Sequence, residues 1–129
     1  MLDADGARVL LTLHRRAREW FQFGGHLEPA DTSVHAAATR EAREESGIAE
    51  LTLHRQLVAV DRHRLVGDFG RCREHLDLRF GAVADASARP RMSAESLDVR
   101  WWPVDDLPVG TRRELTPLVQ AARASLGFG

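Results

Sequence analysis

The chain has 129 residues, with 18 basic against 19 acidic side chains, a formal net charge of −1 and 43% hydrophobic content. That predicts one domain over residues 1–129 that buries its own core, not a disordered segment. The charge balance lacks the basic footprint that a nucleic-acid polymer or an anionic membrane requires, and no apolar run approaches the roughly 18 residues of a spanning helix. One cysteine, Cys72, excludes an internal disulfide and a multi-cysteine zinc site, and suits a reducing compartment; the expectation is a cytoplasmic protein.

In chain order, Asp5-Gly6 is a turn signal and Arg8 to His14 (RVLLTLH) reads as a strand. Only Met1 to Ala4 precede that turn, so the first strand of the hairpin is expected to be missing or truncated. An open sheet edge invites pairing, which predicts a homodimer or a loosened protein. Trp20 to Phe23 is a short extended piece ending at Gly24-Gly25. A helix is expected over about Ser33 to Ser46, with Asp31, Thr32 and Ser33 offering N-cap oxygens and Gly47 at the left-handed stop. Leu51 to Val60, with Leu51, Leu53, Leu57 and Ala59 inward, and His75 to Ala84, with Leu76, Leu78, Phe80, Ala82 and Ala84 inward, show the period-two pattern of half-buried strands. Asp85 to Ser93 reads as a loop and Val99 to Trp102 as a strand stopped by Pro103. A last helix over about Arg112 to Ser125 places Leu115, Leu118, Val119 and Ala122 on one face. The fold class is mixed α/β or α+β.

Charge is unevenly spread. Residues 25–50 hold Glu28, Asp31, Glu41, Glu44, Glu45 and Glu50 against Arg40 and Arg43. On a helix, Glu41, Glu44 and Glu45 fall within about 100° of the circumference, so three carboxylates share one face. Like charges so placed repel, and the helix dipole disfavours anions in the last turn. Hard divalent cations prefer such oxygens and bridge them to phosphates. On spacing alone, a solvated acidic face paired with Arg40 and Arg43 is the commoner arrangement.

The whole string GGHLEPADTSVHAAATREAREESGI resembles the signature of the Nudix hydrolases: a glycine loop, then R-E-x-x-E-E-x-G and an aliphatic residue, here Arg40-Glu41, Glu44-Glu45, Gly47 and Ile48. Trp20 to Gly25 and the run Trp101 to Pro108 also look similar. The resemblance implies an α/β/α sandwich with a mixed sheet. It implies hydrolysis of the pyrophosphate in a nucleoside diphosphate linked to another moiety, by water attack at phosphorus, with Mg2+ or Mn2+ as cofactor and a small nucleotide derivative as the only expected ligand class. By position, Glu45 and Glu44 would be the main metal ligands, Glu41 a further ligand or base, and the Gly25 carbonyl another ligand. Arg40 would orient the carboxylates from behind. The base would be Glu41, Glu44 or Glu95, the last from a late loop. One departure is that eight residues, Thr32 to Thr39, separate Asp31 from Arg40 where the family has seven, and this puts the role of Asp31 in question.

His26, Arg15 and Arg16 are candidates for touching substrate phosphate. His63, Cys72 and His75 could form a soft metal site, although no histidine pair has zinc-motif spacing. Core packing is the expected role for most of Trp20, Trp101, Trp102 and Phe80. Two other functions compete: a non-catalytic nucleotide or ADP-ribose sensor of the same fold, and an isopentenyl-diphosphate isomerase-like enzyme. The second would need a cysteine near the glycine loop, where there is none.

Overall fold

A computed structural model describes residues 1–65, 67 and 70–129. Strand β1 (Arg8–His14) alternates in the way an apolar strand covered on both faces must. Val9 and Leu11 enter a cluster with Trp20, Val104, Leu115 and Val119, whereas Leu10 enters a second cluster with Ile48 and Ala84. β1 runs antiparallel between β2 (Trp20–Phe21) and β5 (Ser96–Pro103). β3 (Leu51–Arg64) and β4 (Glu74–Ala84) form a second antiparallel ladder.

Leu2 joins the two ladders. It makes an antiparallel bridge to Val9 and a parallel bridge to Val83, its N–H donates to the Ala82 carbonyl (2.7 Å), and its carbonyl accepts from the Ala84 N–H (2.9 Å). Ahead of β1, Leu2 thus forms a single rung, and its parallel bridge joins two ladders that are each antiparallel.

Helix α1 (Val34–Ser46) begins where Ser33 Oγ accepts the Ala36 N–H and ends at Gly47, whose φ of 70° is left-handed, as its sequence signals require. Its buried residues are small, Ala37, Ala42 and Ser46, which lets the backbone approach β3 and β4 closely. Helix α2 (Leu115–Ser125) packs Leu115 and Val119 into the Val9/Leu11 cluster. It starts three residues later than the periodicity suggests. Pro117 lacks an N–H and its ring would clash with the carbonyl four residues back were Arg113 helical, so the helix can begin only just before it.

Alternation along β3 and β4 departs from the expectation in two places. Register shifts between Leu53 and Leu57 and between Leu57 and Ala59 rephase β3, leaving Leu57 44% exposed. Leu76 is 63% exposed, although the alternation would turn it inward. β3 also extends past Val60 to Arg64, held by pairs such as Arg62 with Glu74 (3.4 Å) and Arg79 with Asp61 (2.7 Å) rather than by apolar burial.

Candidate active site

The glycine loop after β2 crosses the C-terminal half of α1, and the crossing is tight. A Cβ on Gly25 would lie 2.3 Å from the Glu41 carboxyl carbon, so only glycine leaves that carboxylate where it is. Next to it the Gly24 N–H donates to Glu45 Oε2 (3.2 Å).

Arg40 organises the acidic side of this crossing. Its Nε and Nη2 grip the two oxygens of Asp31 at 2.9 Å each, Nη1 donates to Glu41 (3.0 Å) and Glu44 (3.2 Å), and Nη2 also reaches the His26 carbonyl (3.1 Å). Glu28 lies 3.4 Å away. These hydrogen bonds hold Asp31 below the usual carboxylate range and Arg40 above its ordinary value. Only Thr32 and the N-cap Ser33 separate Asp31 from the helix, and the Glu28 N–H donates to Asp31 Oδ2 (2.7 Å). Asp31 thus becomes the planar partner of the arginine fork.

Glu45 has the opposite environment. Burial pushes its carboxyl up to about 7 against the one favourable hydrogen bond from Gly24, and the charges of Glu41, Glu95 and Glu44 push the same way. Glu95 is therefore close enough to act on Glu45 although it is remote in sequence. Its loop is tied down by Arg15, whose backbone N–H donates to the Glu95 carbonyl (3.0 Å) and whose guanidinium donates to the carbonyls of Ala94 (3.1 Å) and Ser96 (3.4 Å). Ser96 is buried, its Oγ 2.6 Å from Thr12 Oγ1.

Of the sequence candidates, Gly25, Arg40, Glu41, Glu44 and Glu45 come together, and Glu95 faces them. Arg15 has its donors engaged by the late loop. Arg16 is exposed, with its backbone N–H on His14 Nδ1 (3.2 Å). His26 sets its ring edge-to-face against His75 at 5.6 Å. Cys72 is exposed, and among the described residues His63 and His75 cluster with Asp77 instead. Sequence reading missed Asp77; its signal, a carboxylate two residues beyond a histidine on one strand face, needs the ladder register to be recognised. Trp20 and Trp102 pack edge-to-face in the core at 5.2 Å, and Phe80 packs on His35 at 5.5 Å.

Comparison with known proteins decides the family: the NUDIX domain pattern matches residues 1–123. The chain belongs to the NUDIX family. A zebrafish (Danio rerio) relative named oxidized purine nucleoside triphosphate hydrolase is 30% identical over 111 residues, 84% of this chain, and the chain spans 66% of that relative's length. A NUDIX hydrolase from Clostridium perfringens superposes with a TM-score of 0.74 at 22% identity, covering 96% of this chain and 93% of its own. An Ap4A hydrolase from C. elegans follows at 0.72 and 20%, covering 93% and 86%. These likenesses establish the α+β NUDIX fold. Among the described residues no helix is long and apolar enough to cross a membrane.

Proposed function

We propose that this NUDIX chain hydrolyses the pyrophosphate bond of a nucleoside diphosphate joined to another group, by metal-assisted attack of water on phosphorus. The observation that supports this most is the convergence of Glu41, Glu44 and Glu45 beside Gly25, with Glu45 held in a partly buried, uncompensated position. The donors are all hard oxygens, and Glu45, its carboxyl raised first by burial and then by the neighbouring carboxylates, would gain the counter-charge it lacks from a divalent cation. Residues and group therefore fit. When bound, Mg2+ or Mn2+ would neutralise phosphate oxygens and acidify the attacking water.

The chain's own contributions follow from the contacts. Arg40 holds Glu41 and Glu44 in place from behind, and Asp31 fixes its fork. Glu44 and Glu45 would ligate the metal, with the Gly25 carbonyl as a further ligand and Glu41 as ligand or base. Glu95, on a loop held by Arg15, is exposed and free to take the proton from water. His26 and Arg16 would meet the outer phosphate.

The relatives' names suggest substrates to try: oxidised purine nucleoside triphosphates and dinucleoside tetraphosphates, beside ADP-ribose and nucleotide sugars. Phosphate or nucleotide release with Mg2+ should fall on the order of a hundredfold or more in Glu45→Gln, since even outer-shell partners of a metal are worth about 10–100-fold. Turnover that survives this change sinks the reading; tight nucleotide binding without turnover by the wild-type chain would favour a sensor instead. The homodimer expected from the sheet edge is checked by light scattering, where a monomer removes it.

A further inference from the structure

The β3–β4 ribbon carries a second group of metal-ligating side chains, on different elements from the glutamates of α1. His63 stands directly across the ladder from His75, and Asp77 lies two residues further along the same strand. Opposed residues and their i+2 neighbours share a face, so all three side chains rise from one side of the ribbon. Their ligand atoms lie within 4.8 Å of one another. Four-coordinate zinc, with bonds of about 2.0–2.1 Å, needs its ligand atoms roughly 3.4 Å apart. Rotation of half-exposed side chains closes that gap without moving the strands.

We infer that His63, His75 and Asp77 form a separate site for a borderline divalent ion of the Zn2+ class. Two imidazoles and one carboxylate select Zn2+, Co2+ or Ni2+ over Mg2+, which prefers all-oxygen surroundings. The competing contacts are weak. His63 Nδ1 is 3.7 Å from Asp77 Oδ2, and Arg79 Nη2 is 3.5 Å from the same oxygen. Arg79 keeps its closer partner, Asp61 at 2.7 Å, when a cation takes Asp77. The three residues line a cavity of about 230 Å3 together with Trp20, Phe21 and Gln22, so a bound ion has an open side for water or an anionic ligand. The His26 ring packs on His75, and the His26 carbonyl accepts from Arg40, so an ion here would stiffen the far end of the loop that runs past Glu41.

Co2+ titration of the full chain, with Mg2+ in excess, tests the site through the visible spectrum, because a four-coordinate nitrogen-containing site absorbs far more strongly than a six-oxygen one. One strongly absorbing Co2+ per chain is expected, displaced by Zn2+, and unchanged in Glu45→Gln. His75→Ala and Asp77→Asn should each weaken binding by about a hundredfold or more, with far-ultraviolet circular dichroism unaltered. His63→Ala, at a more exposed position, gives the same answer should His75→Ala fail to fold. A strong band that vanishes in Glu45→Gln, or survives in His63→Ala and His75→Ala, overturns the proposal; so does the absence of any strong band.

Discussion

Ionising Glu45 adds a negative charge beside Glu41, Glu44 and Glu95 in a place where burial has removed much of the water that would offset it. The sign of the resulting pH effect follows. The folded carboxyl titrates near 7 and the unfolded one near its ordinary value of 4.5, so the native state holds the extra proton between them. Glu45 therefore favours folding least at high pH, and in EDTA the wild-type chain should lose stability as pH rises from about 4.5 to about 7. Glu45→Gln should flatten that part of the curve; parallel curves for the two proteins in urea melts would contradict the assignment. Gly25 gives a second expectation of the same kind. Its φ is not left-handed, so alanine is no strain on the backbone, and the atom it meets is the movable end of Glu41. Gly25→Ala should leave the melting temperature nearly unchanged while shifting the Glu41 carboxylate, and a misplacement of about 1 Å can cost about a hundredfold in rate. A variant with full activity would show that the crossing is not as tight as the distance implies, and one that unfolds would show that the Glu41 side chain cannot give way.

At the level of elements, α1 is held at its C-terminal end by a contact made twice over. Gly47 is left-handed, a Cβ there would lie 2.5 Å from the Arg91 Cβ and 3.0 Å from the Arg91 nitrogen, and the Arg91 N–H donates to the Ser46 carbonyl (2.7 Å). Gly47→Ala should cost at least about 1–2 kcal/mol from the left-handed conformation alone, read from urea midpoints; a loss below about 0.5 kcal/mol would count against it. This helix was legible in the sequence because its start and stop are chemical: a serine oxygen and a glycine. β1 was legible because both its faces are apolar. The tail of β3 was not, since its pairing rests on Asp61 finding Arg79, and that choice belongs to register rather than to composition. The same division runs through the site. Glu41, Glu44 and Glu45 are helical neighbours and declare themselves by spacing, and the Arg40 fork follows from position. The hold of Arg15 on the Glu95 loop joins residues about eighty apart, and no local pattern announces it. Asp77 was missed for the same reason, since only the ladder brings it beside His63.

Across the whole molecule, α1 rests on the β3–β4 ribbon, while α2 touches that ribbon and also sends Leu115 and Val119 into the cluster that Val9, Leu11 and Trp20 form on the β2-β1-β5 ladder. The glutamates stand on a helix packed against one ladder, and the glycine loop that meets them leaves the other. Leu2 is 1% exposed at the seam. Leu2→Ala should cost about 2–5 kcal/mol, as for other buried leucines, measured by chemical denaturation; a change under 1 kcal/mol would mean that the ladders hold together without it. The amide of Leu2 donates to Ala82, its carbonyl accepts from Ala84, and the Met1 carbonyl accepts from Leu10. One peptide segment is thus a splice through which the two ladders share hydrogen bonds. In native-state exchange, the amides of Leu2, Leu10 and Ala84 should open together, in a single event that costs as much as global unfolding. Apolar packing spans the same seam, Leu10 against Ile48 and Ala84 on one side and Val9 and Leu11 against Leu115 and Val119 on the other, so the glycine loop and the carboxylates it faces keep their spacing only while splice and packing hold together.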